Sequence, residues 1–168
     1  MRPLPGFTIH RPASLGEALE LMGALESVKP IAGGTDLLPL MRDRAISVDE
    51  IVDIQGLYEL KGITVEDGAL KIGSLTTLSE VLESPLVAKK APALREAVGH
   101  IGSVQTRNQG TLAGNLCNAS PAADSAPALI VLRAHARVAS TTGTREVTVE
   151  ELFAGPKMNS LGKGELVT

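Results

Sequence analysis

Apolar residues recur at Leu15, Ala18, Leu19 and Met22, a spacing that gathers them on one helical face while Glu17 and Glu20 stay on the wet side. Ser14 stands where an N-cap belongs and Glu17 follows three residues later, so a capping box opens a helix predicted over residues 15–25. Phe7-Thr8-Ile9-His10 ahead of it reads as a short strand. Lys29-Pro30-Ile31-Ala32 then leads into Gly33-Gly34-Thr35-Asp36, and Leu37-Leu38-Pro39-Leu40-Met41-Arg42 reads as a short helix with proline in its first turn, where a missing N–H costs nothing.

Further along, Glu50-Ile51-Val52-Asp53-Ile54 is strand-like, and Gly62-Ile63-Thr64-Val65 with Ala69-Leu70-Lys71-Ile72-Gly73 predicts a hairpin around Glu66-Asp67-Gly68. Thr76 or Thr77 starts a helix that ends before Pro85, and residues 92–98 form another, stopped by Gly99. The stretch from Ser103 to Gly110 is too polar for the core. Asp124 or Ser125 can cap an apolar helix through Leu132, and Ala136-Arg137-Val138-Ala139 with Arg145-Glu146-Val147-Thr148 predicts a second hairpin. Helices and strands mix without strict alternation, which predicts an α+β fold in one domain or two small lobes. Gly164-Glu165-Leu166-Val167-Thr168 reads as a glycine turn opening a strand with nothing to close it, the ending expected of a fragment.

Composition narrows what such a fold can do. With 43% apolar and 21% charged residues the 168-residue chain can bury a core, and its net charge of −3 implies no basic surface for nucleic acid. No apolar run approaches the ~20 residues of a membrane helix, and Met1-Arg2-Pro3-Leu4-Pro5-Gly6 lacks a signal-peptide stretch, so a cytoplasmic location is the default expectation. Cys117 is the single cysteine, so an iron–sulfur cluster or multi-cysteine zinc site must belong to another chain. Phe7, Tyr58 and Phe153 are the only aromatics, so a flat ligand has to be held by aliphatic groups and backbone. His10, His100 and His135 show no metal-ligand spacing, and no serine, histidine and acid grouping marks a nucleophile; neither catalytic nor metal residues are assigned.

Binding chemistry is more legible. Two glycines in Ala32-Gly33-Gly34-Thr35-Asp36 let main-chain N–H groups converge on phosphate oxygens, with Thr35 adding a hydroxyl and Asp36 better read as a helix cap. A plain turn is the commoner meaning of such glycines, and neither G-x-G-x-x-G nor G-x-x-x-x-G-K-[ST] occurs. Thr111-Leu112-Ala113-Gly114-Asn115-Leu116 sets a small-residue step between two polar side chains, which suits phosphate or amide edges and equally a strand bent at a glycine bulge. Asp124, after Ser120-Pro121-Ala122-Ala123, can accept from sugar hydroxyls or cap a helix. Arg107 and Asn108 can steer an anion or pair with a partner's acids, and Cys117 reads as a small buried thiol.

In that order, Ile31-Ala32-Gly33-Gly34-Thr35-Asp36-Leu37, then the run from Ile101 through Arg107-Asn108-Gln109-Gly110 to Thr111-Leu112-Ala113-Gly114-Asn115-Leu116, then Ser120-Pro121-Ala122-Ala123-Asp124, resemble the FAD (medium) subunit of the xanthine dehydrogenase and carbon monoxide dehydrogenase group. The resemblance runs from the N-terminus to Thr168. It implies a two-lobed FAD-binding domain over residues 1–168, with approximate lobes 1–55 and 56–168 and the family's smaller C-terminal domain absent. It further implies that Ile31, Ala32, Gly33, Gly34, Thr35, Asp36 and Leu37 embrace the FAD pyrophosphate. Thr111, Leu112, Ala113, Gly114 and Asn115 then contact phosphate and flavin, Asp124 binds cofactor hydroxyls, and Ile101 and Leu166 are apolar contacts.

By the same resemblance, the molybdenum cofactor and [2Fe-2S] clusters sit on a large and a small partner subunit, and electrons leave FAD for an acceptor such as NAD, oxygen or a quinone. The branch that reduces hydroxybenzoyl-CoA carries a cysteine-rich insertion that this chain lacks. Two rivals remain. One is a Rossmann-type NAD-dependent enzyme, opposed by the missing fingerprint, and the other is a flavin-free scaffold, opposed by the retention of both glycine segments and Asp124.

Overall fold

A computed structural model describes residues 3–168; Met1 and Arg2, on which part of the N-terminal reading falls, lie outside the described residues. The first third of the chain alternates strand and helix: β1 (Thr8–His10), α1 (Leu15–Ala24), β2 (Val28–Ile31), α2 (Leu37–Arg42) and β3 (Glu50–Asp53). Because each link is a helix, the strands run parallel, with β3 between β1 and β2 and Ile51 opposite both Ile9 and Lys29. Strict alternation here differs from the irregular order expected of the whole chain. Pro30 is tolerated because β2 is an edge strand.

The pleat sends successive residues of β3 to opposite faces. Ile51 packs with Met41 and Val48 beneath α2, whereas Val52 joins Ala18, Leu19 and Met22 of α1. The stripe predicted for α1 is therefore the one it buries, with Leu15 partly covered at its margin. The cap differs in one detail: Ser14 Oγ accepts from the Glu17 N–H at 3.2 Å, but the Glu17 carboxylate takes the Ala13 N–H at 2.7 Å, one residue earlier than a capping box requires.

A 3-10 turn (Tyr58–Leu60) leads to the hairpin of β4 (Ile63–Glu66) and β5 (Ala69–Ile72). Asp67 and Gly68 both have positive φ, 49° and 82°, the geometry whose twist matches a two-residue hairpin. Six short helices follow: α3 (Leu78–Glu83), α4 (Pro85–Lys90), α5 (Pro92–His100), α6 (Val104–Gln109), α7 (Leu112–Cys117) and α8 (Ser125–Val131). Thr77 opens α3 with a full capping box. Ser84 caps α4, so Pro85 starts a helix that the pattern did not show. Gly99 lies inside α5 rather than ending it. The polar stretch is α6, with no buried residue, in line with its composition.

The chain closes with β6 (His135–Ser140), β7 (Gly143–Thr148), β8 (Phe153–Gly155), β9 (Met158–Asn159) and β10 (Leu166–Val167); β10, β6 and β7 form an antiparallel sheet in that order. The main core joins Leu78, Val81, Val87, Leu94 and Val98 to Leu112, Leu116, Leu129, Val138 and Leu152. A second cluster unites the two ends of the chain, because Leu166 and Ala139 pack with Ala18, Leu19 and Met22 as well as Leu57, Leu60 and Leu75. The α+β expectation matches this mixed architecture.

Candidate functional site

The two glycine segments, some 75 residues apart in sequence, meet main chain to main chain. A Cβ placed on Gly33 would stand 2.0 Å from the Gln109 carbonyl oxygen and 2.8 Å from Gly110 Cα, so no other residue fits there. Thr35 Oγ1 lies on the same seam, 3.4 Å from where a Gly110 Cβ would be. Gly33 was read as room for a ligand; that room is taken by the protein itself. Gly34 keeps the other expected property, with φ of +68°, the left-handed value that alternates successive N–H groups toward one point. Its carbonyl accepts the Leu38 N–H at 3.2 Å and starts α2.

Asp36 occupies the N-cap position of α2 in helical geometry and makes no side-chain cap bond. The cap role assigned to it is thus not taken up, and its carboxylate is exposed. Ala32 and Leu37 are half-buried beside the turn, and Ile31, the last residue of β2, accepts the Ile54 N–H at 3.1 Å.

The second segment corrects the alternative of a bent strand: residues 112–117 are a helix. Thr111 caps α7, its Oγ1 accepting from the Gly114 N–H at 3.0 Å, and Leu112 and Leu116 fall one turn apart on the buried face. A Cβ on Gly114 would come within 2.8 Å of that Thr111 oxygen, and the residue is exposed, so its outer face is uncovered beside the cap. Ala113 is half-buried between them. Asn115 accepts from Ser125 Oγ at 2.6 Å, which fixes its amide plane and directs the Nδ2 donors away from the serine. Ser125, 0% exposed, is a positioning residue that the sequence showed only as a possible cap.

Asp124 sits next to it, exposed and with no side-chain cap bond, so capping does not use its carboxylate. Ile101 ends α5, half-buried against the main core. Arg107 is anchored through Nη1, which donates to the Ile101 and Gly102 carbonyls at 3.0 and 3.2 Å. Asn108 accepts from Ser79 Oγ. Cys117 is half-buried, and burial pushes its thiol up to about 12, so it stays protonated at neutral pH. Leu166 is 4% exposed, in the cluster with α1 against which Ala32 of the first segment also packs.

The segment between β5 and α3 was missed by sequence reasoning. Leu112 donates to the Thr76 carbonyl at 3.1 Å and Leu78 to that of Gly110 at 2.9 Å, a two-way stitch that seats residues 73–77 against the second segment. The polar run Gly73-Ser74-Leu75-Thr76-Thr77 was a signal, read only as a helix start. A cavity of about 120 Å³ opens here, lined by Ser74, Leu112, Ala113 and Val167 among others. A wider hollow of about 400 Å³ beyond the end of α8, bounded by Val131, Arg133, His135 and Glu150, contains neither glycine segment. No helix among the described residues is long and apolar enough to cross a membrane.

Comparison with known proteins gives this geometry a family. Residues 5–168 match the FAD binding domain in molybdopterin dehydrogenase. The chain is 37% identical over 164 residues to the glyceraldehyde dehydrogenase medium chain of Sulfolobus acidocaldarius, covering 98% of this chain and 58% of that one. It is 38% identical over 159 residues to a putative xanthine dehydrogenase FAD-binding subunit of Escherichia coli, covering 94% and 54%. Among solved structures, the carbon monoxide dehydrogenase of Hydrogenophaga pseudoflava superposes with a TM-score of 0.95 at 34% identity, over 98% of this chain and 58% of that one. The chain thus spans little more than half the length of these relatives. Gly34 keeps a left-handed backbone, the Asn115 amide donors face away from Ser125, and the Asp124 carboxylate is exposed and makes no cap bond, which is chemistry of the kind that can meet phosphates and sugar hydroxyls. The chain belongs to the FAD-binding domains of the molybdopterin dehydrogenases.

Proposed function

We propose that this chain carries FAD as the electron-transfer part of a multi-subunit molybdenum hydroxylase, between partner chains that hold a molybdenum cofactor and [2Fe-2S] clusters and an external acceptor such as NAD, oxygen or a quinone. When bound, FAD supplies the exchange between carriers on partner chains and that acceptor. What this chain does is bind and orient. The main-chain N–H groups of residues 33–36 hold the pyrophosphate, with Thr35 adding its hydroxyl and Ile31, Ala32 and Leu37 backing the turn. Asn115 donates from Nδ2 while Ser125 holds its carbonyl, and Asp124 accepts from a cofactor hydroxyl. Thr111 spends its oxygen on the Gly114 N–H and so acts through the backbone it shapes, with Leu112 and Ala113 beside it. Ile101 and Leu166 offer apolar edges, and no residue is needed as an acid or base. The domain has two lobes meeting near residue 55.

The observation that carries this reading is the main-chain contact of Gly33 with Gln109 and Gly110, which puts the two segments side by side. It favours a ligand bridging both over a single-turn nucleotide site of the Rossmann type, whose adjacent β1 and β2 are here kept apart by β3. The test is cofactor content. Protein freed of small molecules should release FAD near one per chain, identified by chromatography; no flavin even after added FAD would leave the scaffold reading instead.

A further inference from the structure

Ser74 Oγ is the one buried side-chain polar atom among the described residues with no hydrogen-bond partner, in a residue only 5% exposed. An unpaired buried hydroxyl is a cost that a fold does not carry without cause. Thr76, two residues on, shows the satisfied case: its hydroxyl donates to the Gly62 carbonyl and accepts the Gly62 N–H, both at 3.1 Å.

The backbone on either side of Ser74 is pinned. A Cβ on Gly73 would lie 2.4 Å from the Leu60 carbonyl oxygen, and Leu75 donates to that same oxygen at 2.8 Å. The stitch from Thr76 and Leu78 to Leu112 and Gly110 holds the segment against the second glycine segment. Around the cavity that Ser74 lines, Leu70, Ile72, Leu112 and Leu116 are apolar, and the polar side chains that also line it, His135, Arg137 and Thr168, make no hydrogen bond to the Ser74 hydroxyl. At about 120 Å³ the cavity admits a few waters or one edge of a larger molecule.

We infer that Ser74 is a cofactor-contact residue, its hydroxyl hydrogen-bonding a polar atom of FAD where the cofactor enters the cavity beside Ala113. This rests on the FAD-binding reading above and adds a third segment, residues 73–77, to the site.

The experiment compares wild-type protein with Ser74→Ala and Ser74→Cys in the full-length chain, by FAD titration and by thermal unfolding without cofactor. The expected result is FAD affinity weakened about 3- to 10-fold in Ser74→Ala, the equivalent of one neutral hydrogen bond, with the cofactor-free Tm unchanged or raised. Ser74→Cys, close in volume but a weaker donor, should weaken binding by a smaller factor and serves if the alanine variant does not fold. Unchanged affinity with a lowered cofactor-free Tm would mean that a buried water satisfies the hydroxyl, and overturns the assignment while leaving FAD binding intact. Wild-type protein that takes up no FAD would overturn both.

Discussion

Gly33 and Gly114 look interchangeable in sequence, each the pivot of a small-residue segment, yet their missing side chains serve opposite purposes. At Gly33 the vacant space is filled by the Gln109 carbonyl, so the glycine is a seam between two parts of the protein. At Gly114 the residue is exposed and only the Thr111 hydroxyl stands close, taking its N–H, so the glycine makes room for a helix cap and leaves an uncovered face where the cofactor is proposed to lie. A glycine motif therefore says that something comes close, and only the fold says whether it is the cofactor or the chain.

The largest effect that can break this contrast is Gly33→Ala. A methyl group 2.0 Å from a carbonyl oxygen forces the seam apart, and a loss at or above the upper end of the ~1–3 kcal/mol typical of overpacking is expected in denaturant unfolding. A stable Gly33→Ala protein with only FAD affinity reduced would return Gly33 to the ligand. Next comes Asp124→Asn on the other side of the comparison. Nothing in the fold uses this carboxylate as a cap, so stability should stay within about 0.5 kcal/mol while FAD affinity falls roughly tenfold, read by titration.

Gly114→Ala should be milder than Gly33→Ala. Alanine gains about 1 kcal/mol of helix propensity but crowds the Thr111 cap, itself worth about 1 kcal/mol, so net stability should change little while FAD affinity drops. A collapse as severe as that of Gly33→Ala would erase the distinction.

The smallest effect is a control that touches neither segment. Arg145 grips Glu165 through two hydrogen bonds at 2.8 and 2.7 Å, and with the Gly162 N–H this holds the carboxyl down at about 2. A depressed carboxyl stabilises the fold above its unfolded value near 4.3, and that contribution is lost as pH falls toward 2. Arg145→Met should lower the Tm only slightly at neutral pH, since the arginine is exposed, and the difference from wild type should vanish in acid melts below pH 2.

Strong local periodicity was readable: the face of α1, the two hairpins and the order of strand, glycine turn and helix at residues 28–42 all follow from spacing and turn chemistry. Short helices were not. α4 and α6 each have six residues, too few to show a period, and their starts rest on Ser84 and Ser103 hydroxyls that look like ordinary loop serines. Residues 111–116 misled because Gly114 suggested a bulge, while the decisive feature was the Thr111 cap. For the site, residue types signalled both glycine segments and Asp124, whereas the Ser125 bond to Asn115 and the proposed contact at Ser74 were hidden because each depends on how separate elements pack.

The cluster that joins Leu166 to Ala18, Leu19 and Met22 also sets a timetable. Helix α1 emerges early from the ribosome, but the strand that finishes covering it arrives seconds to tens of seconds later at ordinary rates of synthesis. In that interval the apolar face of α1 is open to the wrong neighbour, and chaperone demand should be highest before residue 166 appears. A translational pause placed ahead of β10 would prolong that exposure, whereas one placed after it would not.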